Sequence, residues 1–381
     1  MDLPNYKDGS IVNLMSSILN SYGAESGYGE LKFLPSSDLK SKKNIVLIVL
    51  DGLGYNYLMS HKSYLAEHVK GRITSVFPPT TASAITSFFT GLSPKEHGVT
   101  SWFMNLSEIG VVGAPLRFST RAGKINLDGC GLDLKDILNL EPVFKNMPVA
   151  SYQVIKSGLE KSQYTINFKS KKIFGEKKIK SFFSRINSIV SKNEKKFVYA
   201  YWPDFDSNSH RFGINSFETE KCYDEIVENF KKFMKKINLS ETTVIVTADH
   251  GLIDSAKDEF IDVNSHPVMK ECLTIPMCGE MRAGYFYVHP RKAKKFVSYV
   301  KKNLNKYCDI YTGRELIDKG YYGLFDENPK LEGRIGDYVL IMKKNYLICD
   351  TLNEEESNRS HIGHHGGISP DEMYVPFIFF N

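Results

Sequence analysis

The chain has 381 residues, a formal net charge of +5, 42% hydrophobic residues and 24% charged residues. These values are ordinary for globular proteins and exclude a disordered chain, a collagen-like chain and a small disulfide scaffold. The length allows two or three domains of roughly 100–200 residues, or one large α/β domain with insertions.

The positive charge is carried mainly by lysine and is concentrated in two segments, Lys169–Lys180 and Arg291–Lys306. Apolar residues recur at helical spacing in the second segment, which favours a solvated lysine face on an amphipathic helix. The first is either an exposed segment or a rim that attracts anionic substrates. Neither segment alternates arginine with aromatic residues in a nucleic-acid-binding motif, so we expect no nucleic-acid polymer as a partner.

The sequence contains no signal for export or membrane insertion. The N-terminus lacks the basic start, apolar core and cleavage site of a signal peptide. The longest apolar run, at 45–50, is far shorter than the roughly 20 residues that cross a bilayer. Six scattered cysteines without a CxxC pair argue against a thiolate zinc site. We expect a cytoplasmic protein with free thiols, although removal of a leader would leave the same sequence.

Short apolar segments rich in β-branched and aromatic residues predict eight strands. They are Asn44–Leu50, Arg72–Phe77, Val149–Ile155, Phe197–Trp202, Thr242–Ala248, Gly284–His289, Tyr338–Met342 and Val375–Phe380. Helical patterns lie between them, so the sequence predicts an α/β sheet with helices on both sides. Residues from about 102 to 136 and from about 290 to 334 interrupt this pattern and are predicted to be insertions on the sheet.

Two predicted strands are followed by possible metal ligands. Asp51 follows the first strand, and Asp249 with His250 follows the fifth, which places them at the carboxyl edge where open α/β sheets have their sites. Asp51 alone is more often part of a turn. An aspartate and a histidine at a second strand end can bind one divalent ion, including zinc.

Further candidates lie in two later segments. Asp206 and His210 are four residues apart, so one helical turn would direct both at one ion. Asp204 competes with Asp206 but suits a turn or helix start better. The segment HIGHHGG contains His361, His364 and His365, one of which can supply another imidazole to a metal. His266 is isolated and is predicted to be structural.

A threonine hydroxyl is predicted at the start of a helix. The second strand is followed by two prolines, Thr80, Thr81 and a run from Ala82 to Thr90 that can form a helix. Exposed N–H groups and the helix dipole favour an anion at such a position. A threonine there is usually an N-cap, but beside metal ions the hydroxyl can attack phosphorus.

The motifs VLIVLDGLG, FPPTTASAITSFFTGLSPKEHGV, DFDSNSH, VTADHG and GHHGG, in this order, resemble those of the alkaline phosphatase superfamily. Within it, the chain is most similar to the nucleotide pyrophosphatase/phosphodiesterase family. The resemblance implies a three-layer α/β sandwich with a mostly parallel central sheet, helices on both faces and a smaller cap insertion. It also implies that residues 1–381 form one catalytic domain, with 102–136 and 290–334 as cap or specificity elements.

The resemblance implies two divalent ions, usually zinc, with manganese as the alternative. The ligands would be Asp206, His210 and His365 for one ion, and Asp51, Asp249, His250 and the Thr81 oxygen for the other. His365 is preferred to His364 because the family histidine directly precedes the paired glycines, and Thr81 is preferred to Thr80 by its spacing to Thr90. The implied mechanism is in-line attack by Thr81, followed by hydrolysis of a phosphothreonine.

The sequence departs from the family where the substrate would bind. Ala82, Ser83 and Ala84 replace an aromatic residue, proline and asparagine after the nucleophile, and Trp102 lies near the position of a phosphate-binding asparagine. Backbone N–H groups or Asn105 would then bind the phosphate oxygens. Trp102 would contact a base or lipid-like group, or pack the insertion.

The expected substrate is a small phosphorylated molecule of the nucleotide type, and the expected activity is hydrolysis of a phosphodiester or pyrophosphate bond. Phosphonoacetate-type hydrolysis and phosphomonoester hydrolysis remain alternatives on the same fold. Sulfatases and phosphoglycerate mutases have other sequences around the nucleophile. A non-catalytic binding protein would require loss of a ligand or of the nucleophile, and all seven positions hold competent residues.

Overall fold

The computed structural model describes residues 3–353, 356 and 361–381. The strands in these residues are β1 Asn44–Leu50, β2 Val69–Thr74, β3 Met104–Leu106, β4 Val111–Ala114, β5 Ser119–Thr120, β6 Ala150–Lys156, β7 Lys172–Glu176, β8 Lys196–Trp202, β9 Thr242–Thr247, β10 Ile253–Asp254, β11 Phe260–Asp262, β12 Cys278–Gly279, β13 Ala283–Phe286, β14 Cys308–Thr312, β15 Tyr338–Met342, β16 Leu347–Cys349, β17 Gly363–His364 and β18 Tyr374–Phe380.

The α-helices with both ends in these residues are α1 Ile11–Ser21, α2 Ser37–Lys40, α3 Tyr55–Ser60, α4 Thr81–Thr90, α5 Pro94–His97, α6 Leu134–Leu138, α7 Val143–Asn146, α8 Gln163–Asn167, α9 Ile179–Val190, α10 Asp204–Phe212, α11 Phe217–Met234, α12 Pro267–Lys270, α13 Ala293–Asn303, α14 Gly313–Asp318, α15 Leu331–Ile335 and α16 Pro370–Met373. None of the helices in the described part of the chain combines the length and apolar character that a membrane span requires.

The centre of the fold is a seven-stranded sheet with the strand order β2-β18-β9-β1-β8-β6-β7. The neighbours from β9 to β7 pair in parallel, while β18 is antiparallel to both β9 and β2. Parallel neighbours need long crossover connections, which the helices between the strands supply. This mostly parallel sheet with helices packed against it confirms the predicted α/β fold class.

The middle strand of the sheet, β1, is buried along its whole length. Its sequence NIVLIVL is continuously apolar, as expected for a strand that is covered on both faces. Its parallel register aligns Leu50 with Trp202 at the end of β8, and Val49 with Thr247 at the end of β9. The segments that follow these three strands therefore leave the sheet side by side.

All eight predicted strands are present, and six belong to the central sheet. Gly284–His289 and Tyr338–Met342 correspond instead to β13 and β15, which lie in a separate four-stranded antiparallel sheet of order β12-β13-β15-β14. An apolar run indicates burial and does not show which sheet a strand joins. The predicted strand Arg72–Phe77 is shifted toward the N-terminus: β2 ends at Thr74, and the Phe77 N–H donates to the Tyr6 hydroxyl instead of to a neighbouring strand.

The two lysine-rich segments have different structures. Lys169–Lys180 contains β7, an edge strand of the central sheet that begins at Lys172, and a lysine on an edge strand discourages pairing with other chains. Arg291–Lys306 contains α13, in which Phe296 and Val300 are buried. The expected amphipathic helix is therefore confirmed for the second segment.

The two interrupting segments contact one another beside the central sheet. Residues 102–136 contain the small antiparallel sheet β3-β4-β5, and residues 290–334 contain α13, β14, α14 and all of α15 except its last residue. The four-stranded sheet extends beyond 290–334, because β12, β13 and β15 lie outside that range. A bridge between Phe103 and Gly279 joins the first segment to this second sheet.

Candidate active site

Three aspartates lie together at the carboxyl edge of the central sheet. Asp51 follows β1, Asp249 follows β9, and Asp206 lies in the first turn of α10, just after β8. Because β9, β1 and β8 are adjacent parallel strands, their carboxyl ends bring these residues together. The Gly52 N–H donates a 3.1 Å hydrogen bond to Asp249 Oδ1, which joins two of the strand ends directly.

Each of these aspartates is buried and has one oxygen without a hydrogen-bond partner among the described residues: Asp51 Oδ1, Asp206 Oδ1 and Asp249 Oδ2. Burial and the carboxylates of Asp249 and Asp206 raise the pKa of Asp51. Burial also raises the pKa of Asp206, although His210 and His250 act in the opposite direction. Each of these oxygens lies 3.3–3.5 Å from a histidine Nε2. Buried carboxylates are costly, and divalent cations are partners that can satisfy them.

Three histidines complete the cluster, and a backbone carbonyl orients each of them. The Nδ1 atoms of His210, His250 and His365 lie 2.7, 3.1 and 3.2 Å from carbonyl oxygens. Donation from Nδ1–H leaves Nε2 as a free acceptor, which is the arrangement of metal-binding histidines. Burial, with the neighbouring imidazoles, lowers the pKa of His365 well below its usual value, so its ring is neutral at neutral pH.

Within the described part of the chain, two groups of His, Asp, Glu or Cys side chains have ligand atoms within 4.8 Å of one another, namely Asp51, Asp249 and His250, and Asp206, His250 and His365. The first group contains the side chains predicted for one ion apart from Thr81. The second contains His250 in place of the predicted His210. His210 lies beside it, with Nε2 3.3 Å from Asp206 Oδ1 and its ring centroid 5.2 Å from that of His365. The structure thus brings all six predicted side-chain ligands together.

Thr81 is the first residue of α4, and its hydroxyl reaches this cluster. Its Oγ1 lies 3.2 Å from His250 Nε2. Thr80 is the N-cap residue, but it is fully buried and its hydroxyl donates a 2.8 Å hydrogen bond to Glu280. Of the two threonines that the sequence offers, Thr81 is therefore the one placed beside the cluster of aspartates and histidines.

A cavity of about 500 Å³ lies next to Thr81. Its walls include Trp102 and Phe103 from the first interrupting segment and Glu280 from the second sheet. The Arg117 guanidinium lies 5.2 Å from the centroid of the Trp102 ring, at a cation–π distance. Trp102 thus lines the cavity.

Asn105, the other candidate for substrate binding, does not line this cavity. It lies in the middle of β3, opposite Val112 of β4, and its amide donates a 3.3 Å hydrogen bond to the Gly333 carbonyl. This placement does not agree with the expectation that Asn105 binds a phosphate oxygen, because the pairing of β3 with β4 holds Asn105 within the insertion. Of the two kinds of donor to the phosphate oxygens that the sequence predicts, the backbone N–H groups remain.

The other sequence candidates have partners of their own. Asp204 begins α10 and accepts hydrogen bonds of 2.7 and 2.8 Å from Lys156, in agreement with its assignment to a helix start. His364 is buried, with Nε2 3.1 Å from the carbonyl of His361, and burial lowers its pKa to about 3. His266 lies 2.9 Å from a tyrosine hydroxyl of α13.

Sequence reasoning missed three residues of the site, namely Tyr201, Glu280 and Arg117. The Tyr201 hydroxyl donates to Asp51, and its place in β8 just before the strand end was a usable signal. Burial raises the pKa of Glu280 to about 7, although hydrogen bonds from Thr80 and Trp102 lower it. Glu280 gave no sequence signal because it is 200 residues from Thr80 and 178 from Trp102.

A family model described as Type I phosphodiesterase / nucleotide pyrophosphatase matches residues 45–368. The chain belongs to this family. The predicted resemblance is confirmed, and the protein is a hydrolase that acts on phosphoric ester or anhydride bonds. The matched range contains every predicted metal ligand and Thr81.

Similar curated proteins share low sequence identity with the chain. Human bis(5'-adenosyl)-triphosphatase ENPP4 is 21% identical over 399 residues, which cover 97% of this chain and 76% of the human protein. The Xenopus laevis bis(5'-adenosyl)-triphosphatase enpp4 is 25% identical over 213 residues, which cover 52% of this chain. That match spans 42% of the Xenopus protein, less than half of its length.

Similar solved structures share the fold at low identity. Murine ectonucleotide pyrophosphatase/phosphodiesterase 5 superposes with a TM-score of 0.68 at 15% identity, covering 88% of this chain and 87% of that chain. Phosphonoacetate hydrolase from Sinorhizobium meliloti 1021, in complex with phosphonoacetate, has a TM-score of 0.60 at 15% identity, covering 88% and 89%.

Proposed function

We propose that this protein is a binuclear metal-dependent hydrolase that cleaves phosphodiester or pyrophosphate bonds of a nucleotide-type substrate through a phosphothreonine intermediate. The position of the Thr81 hydroxyl carries this proposal. It lies 3.2 Å from His250 Nε2, at a helix N-terminus and beside a cluster of buried aspartates and histidines. A threonine hydroxyl is a weak nucleophile, and such a cluster provides what activates it.

The donor set fits two divalent metal ions. The ligands for one ion would be Asp206, His210 and His365, and those for the other Asp51, Asp249, His250 and the Thr81 hydroxyl. When bound, such ions polarise phosphoryl oxygens and lower the pKa of a coordinated hydroxyl or water. The unpartnered carboxylate oxygens and the three carbonyl-oriented histidines support the assignment. Mixed carboxylate and imidazole donors favour zinc, with manganese as the alternative.

Thr81 would act as the nucleophile in a two-step transfer. Its Oγ1 forms a bond to phosphorus while the leaving oxygen departs from the opposite side, which gives a phosphothreonine. Water then cleaves the phosphorus–Oγ1 bond and restores the hydroxyl, so the net reaction adds one water across the ester or anhydride. The N–H groups and dipole at the start of α4 favour the negative phosphoryl oxygens.

A nucleotide-type substrate is supported by the cavity and by the relatives. The human relative is named a bis(5'-adenosyl)-triphosphatase, and a murine neighbour is described in complex with AMP. In this chain, Trp102 and Phe103 offer aromatic rings to a base, and Arg117 offers a positive charge to a further phosphate. We infer that residues 1–381 act as one catalytic domain, with both interrupting segments contributing to substrate selection.

Phosphonate hydrolysis is the second candidate function. It is favoured by the similarity to phosphonoacetate hydrolase over 88% of this chain. The two reactions differ in the bond that breaks, because a phosphonate loses a carbon group and an ester or anhydride loses an oxygen group. Substrate preference therefore distinguishes them.

A substrate panel with defined metal tests both candidates. We expect hydrolysis of bis(p-nitrophenyl) phosphate and diadenosine triphosphate to exceed that of p-nitrophenyl phosphate and phosphonoacetate. The Thr81→Ala substitution should lower kcat by about a thousandfold or more. The proposal is overturned if the purified protein binds no divalent ion and Thr81→Ala leaves turnover unchanged. Faster turnover of phosphonoacetate would establish the second candidate instead.

A further inference from the structure

Glu280 connects three segments that surround Thr81. It lies in the turn between β12 and β13, which is closed by backbone hydrogen bonds. Its Oε1 accepts a 2.8 Å hydrogen bond from the Thr80 hydroxyl and a 2.6 Å bond from the Trp102 N–H. Its stem packs on Gly366 of the GHHGG motif so closely that a Cβ on this glycine would lie 2.7 Å from Glu280 Cβ.

The turn that carries Glu280 is held by a buried ion pair. Arg282 is 1% exposed and donates hydrogen bonds of 3.1 and 3.0 Å to the two oxygens of Glu372, which is fully buried. Glu372 also accepts 2.7 Å bonds from the Gly367 N–H and the Ser369 hydroxyl. A bidentate guanidinium–carboxylate pair with further donors fixes orientation as well as position. Glu280 is therefore presented to Thr80 by a rigid turn.

The bond to Glu280 changes the role of Thr80. A threonine at an N-cap usually accepts a hydrogen bond from an N–H of the first helical turn. The Thr80 hydroxyl makes no such capping bond and donates to Glu280 instead. The first N–H groups of a helix have no acceptor within the helix, so those of α4 are left to a group outside it. Thr81 lies in this turn, and a phosphoryl group under attack by Thr81 brings its oxygens to the same place.

We propose that Glu280 is a positioning residue that, by accepting hydrogen bonds from Thr80 and Trp102, keeps the N-terminus of α4 uncapped and open to a phosphoryl oxygen. This inference rests on the proposed function in one respect, because that function identifies the bound oxygen as a phosphoryl oxygen. The family has a phosphate-binding asparagine near the position of Trp102. The Trp102 N–H donates its hydrogen bond to Glu280, so the N–H groups of α4 are the donors to the phosphoryl oxygen.

Replacement of Glu280 tests its role as a hydrogen-bond acceptor. Glu280→Gln keeps an acceptor oxygen, whereas Glu280→Ala removes it. We expect Glu280→Ala to weaken binding of inorganic phosphate to the metal-loaded protein, and to lower kcat/KM for bis(p-nitrophenyl) phosphate, by about 10-fold to 100-fold. Glu280→Gln should stay within about 3-fold of the wild type. Glu271→Ala removes an exposed glutamate that binds Lys295 and should change neither quantity.

A double-mutant cycle with Thr80 tests the link itself. In a Thr80→Val background no hydroxyl remains to cap α4, so Glu280→Ala should weaken phosphate binding by less than about 3-fold. The proposal is wrong if Glu280→Gln loses as much affinity as Glu280→Ala, or if Glu280→Ala has the same effect in both backgrounds. Thermal unfolding identifies variants that do not fold. If Glu280→Ala does not fold, Glu280→Met, which fills a similar volume to glutamate, is used in its place, with the same expected outcomes.

Phosphate binding measured by calorimetry requires no turnover, so it tests Glu280 separately from the reaction. If Thr81→Ala leaves hydrolysis unchanged while the coupling between Glu280 and Thr80 is observed, the proposed function fails and the role of Glu280 stands. If Thr81→Ala abolishes hydrolysis and the coupling is absent, only the role of Glu280 is refuted.

Discussion

The Tyr201 hydroxyl donates a hydrogen bond to Oδ2 of Asp51. Tyr201 lies in β8 opposite Val49 of β1, so its side chain meets Asp51 just beyond the end of the neighbouring strand. Burial and the charges of Asp51 and Asp249 raise the pKa of Tyr201, so the phenol keeps the proton that it donates. The bond satisfies one oxygen of Asp51 and leaves Oδ1 for a metal ion.

Tyr201→Phe should weaken metal binding without unfolding the protein. Partners that orient a metal ligand usually contribute about 10-fold to 100-fold in metal affinity, and we expect a loss in this range. Competition with a chromogenic chelator measures it. Tyr152→Phe is the matched control, because Tyr152 also donates to a carboxylate, that of Glu194, at 2.5 Å. Equal metal affinity of the Tyr201→Phe protein and the wild type would contradict the assigned role.

Asp249→Asn should have opposite effects with and without metal. In metal-free protein, the substitution removes one of several buried like charges, and its amide can donate to the unpartnered oxygens nearby, so we expect stabilisation of about 1–3 kcal/mol. The same change removes a metal ligand and should abolish most of the increase in melting temperature on zinc addition. Urea unfolding of chelated protein and thermal unfolding with metal measure the two effects. Asp318→Asn, at an exposed ion pair, is the control.

His97 should make stability fall as the pH is lowered below 6.5. Burial, followed by the charge of Arg334, lowers the pKa of His97 to about 3. Between pH 3 and 6.5 the unfolded state binds a proton that the folded state does not, so the free energy of unfolding rises with pH. This amounts to about 1.4 kcal/mol per pH unit in that window. The ring also contacts Ser87 Oγ at 3.1 Å.

The His97→Gln substitution isolates this contribution. The difference in unfolding free energy between wild type and variant should shift by about 2 kcal/mol between pH 6.5 and 5.0, because the variant has no imidazole to titrate there. Urea titrations at these two pH values provide the measurement. A difference that does not change with pH would show that His97 is not the group responsible.

Arg117→Ala should reduce the preference for substrates that carry additional phosphates. The guanidinium lines the cavity and lies over the Trp102 ring, where it can bind an anionic group beyond the reacting phosphate. We expect about a 5-fold to 10-fold lower kcat/KM for diadenosine triphosphate and little change for bis(p-nitrophenyl) phosphate. Arg72→Ala, which removes an arginine 4.0 Å from the Tyr374 ring, is the matched control. An equal loss for both substrates would contradict selective binding.

The aspartates and histidines of the cluster were predictable because several of them follow strands with a clear apolar pattern. NIVLIVL and TTVIVTA indicated central strands, and parallel strands of one sheet share a carboxyl edge, so Asp51 and Asp249 were expected at the same edge. The spacing of Asp206 and His210 on a helix needed no tertiary information. The sequence order of these motifs was also sufficient to indicate the family, which the match over residues 45–368 confirms.

Strand patterns could not predict the roles of residues that act through contact with a segment distant in sequence. Glu280 contacts Thr80 because a separate antiparallel sheet holds the turn that carries Glu280 over α4. The apolar strands of that sheet resemble those of the central sheet in sequence. Asn105 shows the converse. It is close in sequence to the nucleophile motif, but its position in β3 keeps it within the insertion and away from the cavity. Sequence proximity is a poor guide to contact once a chain enters an inserted sheet.

The position of β18 between β2 and β9 has a consequence for biosynthesis. Residues 374–380 follow every other described strand in the chain, yet they form an interior strand of the sheet. A ribosome-bound nascent chain that lacks them exposes β9 as an open edge, which invites pairing with other chains. His365 emerges only shortly before this strand. A prematurely terminated product that ends before residue 365 therefore lacks both this histidine and an interior strand of the sheet.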